Sequence, residues 1–189
     1  MVKKLQKKKR VMSKLVSVLI FLLVFNLLSI PLYIALYTNF SFEPLKELNA
    51  RMASVTLNFF GYKSHSDGST VNLVVNGVTQ KIDISWDSTG WKSMYALAAL
   101  ILATPLTRVT RKIKFIAIGV VIIFLVNYFR ITTTILISAK FGFNWFDLIH
   151  TVLWREGLIL AVVGVWFGWI WIEKYKIRKN QIKFRWLLD

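Results

Sequence analysis

FIAIGVVIIFLVNYFRITTTILISA, residues 115–139, is a 25-residue apolar run with a single charge, Arg130. A helix rising 1.5 Å per residue needs about 20 such residues to cross roughly 30 Å of hydrocarbon. The run therefore predicts a transmembrane helix. Three more stretches meet the same requirement: about Leu15 to Tyr37, Trp86 to Pro105 and His150 to Ile172. The first holds Asn26 and Pro31 but no charge, which fits a tilted or kinked span. It exceeds a typical signal-peptide core and no small-residue cleavage pattern follows, so it reads as an uncleaved anchor. Composition agrees: of 189 residues 56% are hydrophobic and 18% charged, with mean hydropathy +0.54. An ordinary soluble domain carries about 25% charged residues.

The charge is strongly one-sided. With 25 Lys and Arg against 9 Asp and Glu, the formal net charge is +16. Of the 25, 17 fall in three places: before the first span (Lys3 to Lys14), between the second and third (Arg108 to Lys114), and after the fourth (Lys174 to Arg185). The remaining loops carry six basic and six acidic residues and sum to zero. Positive short loops stay cytoplasmic, so both termini are expected there, in a multi-pass protein of the cytoplasmic membrane. The excess charge is then a topology signal with some attraction to anionic lipid, and no nucleic-acid partner is inferred.

Residues 38–85 form the sizeable extracytoplasmic part. Phe42, Leu45, Leu48, Met52, Val55 and Phe59 recur at three- and four-residue steps, the pattern of an amphipathic helix ended by Gly61 and lying along the interface. Thr70 to Val75 and Val78 to Ile84 flank Asn76-Gly77, a pair suited to the two positive-φ positions of a type I′ turn, and predict a β-hairpin. The Ser/Asp/Gly-rich stretch Lys63 to Ser69, with His65, reads as a solvated loop. The expected fold class is an all-α membrane protein: about four transmembrane helices, a small extracytoplasmic β-hairpin and an interfacial amphipathic helix. Its organisation would be a basic cytoplasmic N-terminus (1–14), transmembrane helix 1 (15–37), the helix and hairpin (38–85), a three-helix transmembrane catalytic core (86–172) and a basic cytoplasmic tail (173–189).

An ionisable residue within a bilayer is costly and is a functional candidate by default. Arg130 lies 15 residues into its run, about 22 Å from the cytoplasmic start, with Asn127 and Thr134 on the same helical face. It either points into the bundle toward an anion, a carbonyl or a developing negative charge, or snorkels to the outer headgroups. His150 falls where the fourth span enters from the outside, after a loop with Asn144 and Asp147; it reads as an acid or base, or as an interfacial polar residue. Arg155 and Glu156 most simply neutralise each other or a neighbouring helix, Glu156 being a weaker candidate partner of Arg130. Asp87-Ser88-Thr89-Gly90-Trp91-Lys92-Ser93 is unusually polar for the head of a span, its hydroxyls either capping the helix or serving chemistry. Topology puts Ser88, Arg130 and His150 at one outer depth. A hydroxyl, a guanidinium and an imidazole there have the layout of a nucleophile, an oxyanion or carboxylate stabiliser, and a base.

At these residues the sequence resembles the exosortase/archaeosortase family of membrane transpeptidases. The shared stretches are Ser88-Thr89-Gly90-Trp91-Lys92-Ser93, where the family has Cys-(Thr/Ser)-Gly-x-x-Ser, Asn127-Tyr128-Phe129-Arg130-Ile131, and His150. The resemblance covers about residues 70–160. It implies catalytic roles for Ser88, Arg130 and His150 and supporting or substrate-binding roles for Asn127, Thr89, Gly90 and Ser93. It also implies cleavage of a C-terminal sorting signal on membrane-anchored surface proteins and transfer of the acyl group to a lipid or cell-surface acceptor. The chain departs from the family at the nucleophile: Ser88 stands where the family has Cys, and the sequence holds no Cys at all. A serine hydroxyl is protonated at neutral pH and needs a base to attack, unlike a thiol of pKa near 8.5. Either Ser88 is a Cys replacement that disables the enzyme or this is a natural serine-bearing member.

Two other readings stay open. Ser88 with His150, or with Lys92 one turn below, would make an intramembrane serine protease that hydrolyses instead of transferring. A non-catalytic scaffold would keep Arg130 and His150 to bind the sorting substrate. No cofactor is expected, and two separated histidines with scattered carboxylates offer no metal-ligand spacing. The partners the resemblance implies are membrane-anchored substrate proteins, alongside membrane lipids, with the oligomeric state left open.

Overall fold

The computed structural model describes residues 2–142 and 157–185. Helix α1 (Val2–Tyr37) leads to α2 (Glu43–Phe59), and strands β1 (Lys63–Asp67), β2 (Thr70–Val75) and β3 (Val78–Asp83) follow. A 3-10 turn (Trp86–Thr89) then precedes α3 (Trp91–Ala103), α4 (Val109–Phe141) and α5 (Leu158–Arg185). Among the described residues, three helical stretches are long and apolar enough to cross a membrane: Val11–Tyr37, Val109–Phe141 and Leu158–Lys179.

The second predicted stretch, Trp86 to Pro105, is divided. Gly90, at φ 78°, separates the 3-10 turn from α3, and Thr104 leaves helical geometry immediately before Pro105, as the residue preceding proline tends to. The 13 residues of α3 cover only about 20 Å. This short apolar helix packs against α1, α4 and α5 around Leu97, Ile101, Ile123, Val162 and Trp169. Its C-terminal carbonyls are taken up by side chains: Thr104 Oγ1 donates to Leu100 O at 2.7 Å, and the buried Lys112 Nζ donates to Leu102 O at 2.7 Å. Trp166 Nε1 of α5 donates to Thr104 Oγ1 at 3.0 Å and ties the same corner to α5.

Helix α1 is continuous from the basic N-terminus into its apolar part, none of which is fully buried and most of which is exposed, as on a lipid-facing helix. Pro31 lies inside it and lacks the N–H that would bond four residues back. Beside that gap, Tyr95 Oη of α3 donates to Leu28 O at 2.6 Å.

The sheet is an antiparallel meander in the order β1-β2-β3. Asn76 (φ 52°) and Gly77 (φ 81°) form the expected two-residue turn between Val75 and Val78. The stretch Lys63–Asp67, expected as loop, is instead a third strand. It carries no apolar alternation, and its pairing comes from outside itself: β2 bonds it on one side, while Asn58 of α2 accepts from Ser64 N (2.8 Å) and donates to Ser64 O (2.9 Å). His65 is exposed on this strand.

Helix α2 ends as expected, at Phe59 before Gly61 (φ 85°). Its packing face is not the large apolar stripe. Asn49, Ala50, Ala53, Ser54 and Leu57 are buried, whereas Phe42, Leu48, Val55 and Phe59 are exposed. Small residues let the helix approach the sheet and α4 closely, and the large ones are left facing away from the protein. There they suit a bilayer surface. Ala50, Ala53 and Leu57 join Val71, Leu73 and Ile84 of the sheet segment and Ile131, Ile135 and Ala139 of α4 in one core. The hydroxyls of Thr56 and Tyr128 are hydrogen-bonded across the same joint.

Candidate functional site

The 3-10 turn that carries Ser88 is built by its own serines. Ser85 caps it, its Oγ accepting from Ser88 N at 3.3 Å and lying 2.8 Å from Ser88 Oγ. Thr89, fully buried, donates to Trp86 O at 2.8 Å. The hydroxyls of Ser88 and Thr89 therefore do not cap α3, whose N-cap is Gly90 without a side-chain bond.

Helix α4 meets this turn with a polar face. Asn127 Nδ2 and Arg130 Nη2 both donate to the main-chain carbonyl of Ser88, at 2.9 and 3.0 Å. Asn127 is fully buried and Arg130 is 6% exposed. Farther toward the C-terminal end of α4 the hydroxyls of Thr134 and Ser138 fold back onto the helix, Thr134 Oγ1 donating to Arg130 O and Ser138 Oγ to Thr134 O, each at 2.8 Å. Of the two expectations for Arg130, the inward one holds: the guanidinium turns into the protein and takes a carbonyl.

Contact this close between turn and helix requires glycine at position 90. A Cβ there would lie 2.7 Å from Asn127 Cγ and 3.0 Å from Asn127 Cβ, in a left-handed backbone that L side chains rarely adopt. The Ser-Thr-Gly segment and the Asn-x-x-Arg segment are thus fitted to each other.

Several polar atoms stay unmatched. Arg130 Nε and Nη1 and Asn127 Oδ1 are buried with no hydrogen-bond partner among the described residues. A buried donor left without any partner costs roughly 1–3 kcal/mol, more when charged. A small cleft opens beside Ser88, lined by Ile82, Asp83, Ile84, Ile131, Thr134 and Ile135. Ser88 itself is half-buried.

Lys92, one turn below Ser88, forms a 2.8 Å ion pair with Asp87. Ser93 bonds through its main chain to Gly90 O at 3.0 Å. His150, with Asn144, Asp147, Arg155 and Glu156, lies outside the described residues. Sequence reasoning missed Ser85, the partner of the Ser88 hydroxyl; its signal was the Ser-x-x-Ser spacing that caps a tight turn. It also missed the stacked pair Trp86 and Trp91, centroids 5.2 Å apart, flanking the serine. Among the described residues no cluster of three metal-ligating side chains occurs.

These features define a multi-pass membrane protein with a buried Asn-Arg pair clasping a polar turn. Comparison with family models gives a match to the transmembrane exosortase model over residues 12–153, three quarters of the chain. The chain belongs to the transmembrane exosortase family. Searches of curated proteins and of solved structures return no match.

Proposed function

We propose that the chain is a sortase-like transpeptidase of the exosortase family or its nucleophile-substituted form, working at the outer face of the cytoplasmic membrane. Its substrates are surface proteins ending in a C-terminal sorting signal. In the reaction, the side chain at position 88 attacks the scissile carbonyl. An acyl bond to residue 88 forms, the peptide C–N bond breaks, and His150 takes the nucleophile's proton and passes it to the leaving amine. A lipid or cell-surface nucleophile then takes the acyl group and restores residue 88. Arg130 stabilises the oxyanion or holds the substrate carbonyl, a task for which a preorganised buried donor is effective.

The observation that carries this reading is the clasp of Asn127 and Arg130 on Ser88, with Arg130 Nε and Nη1 left without described partners. Asn127, Gly90 and Thr89 support the turn; Ser93 extends it into α3. A mostly embedded enzyme suits a substrate whose tail is itself a transmembrane helix, since helix contacts can set the scissile bond at the boundary.

The test is intact-mass analysis of a co-expressed membrane-anchored substrate with this chain, a Ser88→Cys version and a Ser88→Ala control. Cleavage by the Cys form alone makes the present chain a disabled transpeptidase. Cleavage by the Ser form that Ala abolishes makes it a working serine enzyme, with a lipid adduct indicating transfer and a free carboxyl terminus hydrolysis. A second reading is a substrate-binding scaffold that keeps Arg130 and His150 for recognition. It predicts that Ser88→Ala leaves the cellular phenotype intact and that no form cleaves.

A further inference from the structure

At the other end of α4 from Arg130 lies a second polar feature that the proposed reaction does not use. Arg111, Lys114 and Phe115 of α4 and Glu173, Lys176 and Lys179 of α5 line a cavity of about 370 Å³. Arg111 precedes Arg130 by 19 residues, about 28 Å along the helix, so the two sites stand one hydrocarbon thickness apart. Four cations surround one carboxylate. Glu173 is 1% exposed; its Oε2 lies 3.9 Å from Nη1 of the largely exposed Arg111 and has no hydrogen-bond partner among the described residues. Lys114, Lys176 and Lys179 have no acidic partner among the described residues. Lys176 Nζ lies 5.2 Å from the Phe115 ring centroid, a cation–π contact that fixes it over an apolar floor.

We propose that this cavity is a binding site for the phosphate of an anionic lipid headgroup in the leaflet at that end of the bundle. The charge around it is net positive by three, which excludes a cation and suits a phosphate. The position selects a lipid over a soluble anion. The cavity opens where two spanning helices leave the hydrocarbon, and the same helices expose Ile118, Ile122, Trp171 and Ile172, a surface for acyl chains.

The experiment is native mass spectrometry of the full chain in detergent with equimolar phosphatidylcholine and phosphatidylglycerol. The wild-type chain retains phosphatidylglycerol in preference, and Lys114→Gln/Lys176→Gln lowers that retention about fivefold for each lysine neutralised. Lys8→Gln/Lys9→Gln, in the N-terminal basic run, leaves it unchanged, and Lys114→Arg/Lys176→Arg keeps it. Should the double Gln variant not fold, Lys179→Gln alone carries the test with the same expected direction. Equal retention by the cavity variant and wild type overturns the proposal, as does an equal loss in the N-terminal variant, which would make the attraction diffuse. Displacement of the lipid by inorganic phosphate at matched concentration overturns the choice of a lipid and reassigns the cavity to free phosphate.

Discussion

Gly90 fixes how near Asn127 comes to the Ser88 turn. Gly90→Ala adds a methyl 2.7 Å from Asn127 Cγ at a φ of 78°, and either effect alone moves the turn. The expected cost is about 2–4 kcal/mol of stability, read as a lower midpoint of thermal unfolding in detergent, with processing lost in the Ser88→Cys background. Arg130 makes a different kind of contribution. Arg130→Gln keeps the fold through Asn127 but removes the charge, and processing by Ser88→Cys should fall about 10²–10³-fold. Arg130→Lys should not restore it, because an ammonium cannot bond Ser88 O and present a second, coplanar donor pair to a substrate. Full activity in Arg130→Gln would remove Arg130 from the chemistry. At this scale Ser88, Asn127 and Arg130, which the structure brings together, stood out in the sequence because charge and polarity are conspicuous in an apolar run, while His150 lies outside the described residues. A carbonyl was among the expected targets of Arg130; that it is the one of Ser88, shared with Asn127, was not legible, because a particular carbonyl leaves no mark in a sequence.

Among the elements, β1 depends most on its neighbours. Lys63–Asp67 contains no β-branched or aromatic residue and pairs because β2 offers an edge and Asn58 satisfies the outward N–H and C=O of Ser64. Asn58→Ala should therefore speed amide hydrogen exchange in residues 63–67 while leaving β2 and β3 protected; unchanged exchange would show that β2 alone holds the strand. The hairpin itself was legible from Asn76-Gly77, as its turn chemistry is local. The third strand was not, since its partners are non-local. The same contrast holds in α2, whose helical period was plain but whose buried face was not. Size and hydropathy point to Phe42, Leu48, Val55 and Phe59, yet close approach to the sheet and α4 selected Ala50 and Ala53. The length of α3 follows from Gly90 and Pro105, breakers that a hydropathy window averages over.

For the whole molecule, the spans follow from hydropathy because lipid demands long apolar helices, and orientation is proposed from the Lys and Arg asymmetry. A chain without cysteine makes that orientation directly testable. Thr79→Cys, exposed on β3, should react with a membrane-impermeant maleimide in intact cells, and Gln6→Cys only after permeabilisation. The reverse pattern would invert the protein and place the Ser88 clasp on the cytoplasmic side. The proposed mechanism makes residue 88 the point at which the substrate becomes covalently attached. Peptide mapping by mass spectrometry of a Ser88→Cys chain, trapped by rapid acid quenching during turnover of a membrane-anchored substrate, tests that attachment directly. The predicted result is the substrate's acyl fragment as a thioester on the peptide containing residue 88, absent in Ser88→Ala. Cleaved substrate with that peptide unmodified at every quench time, or an adduct on another residue, would contradict the account.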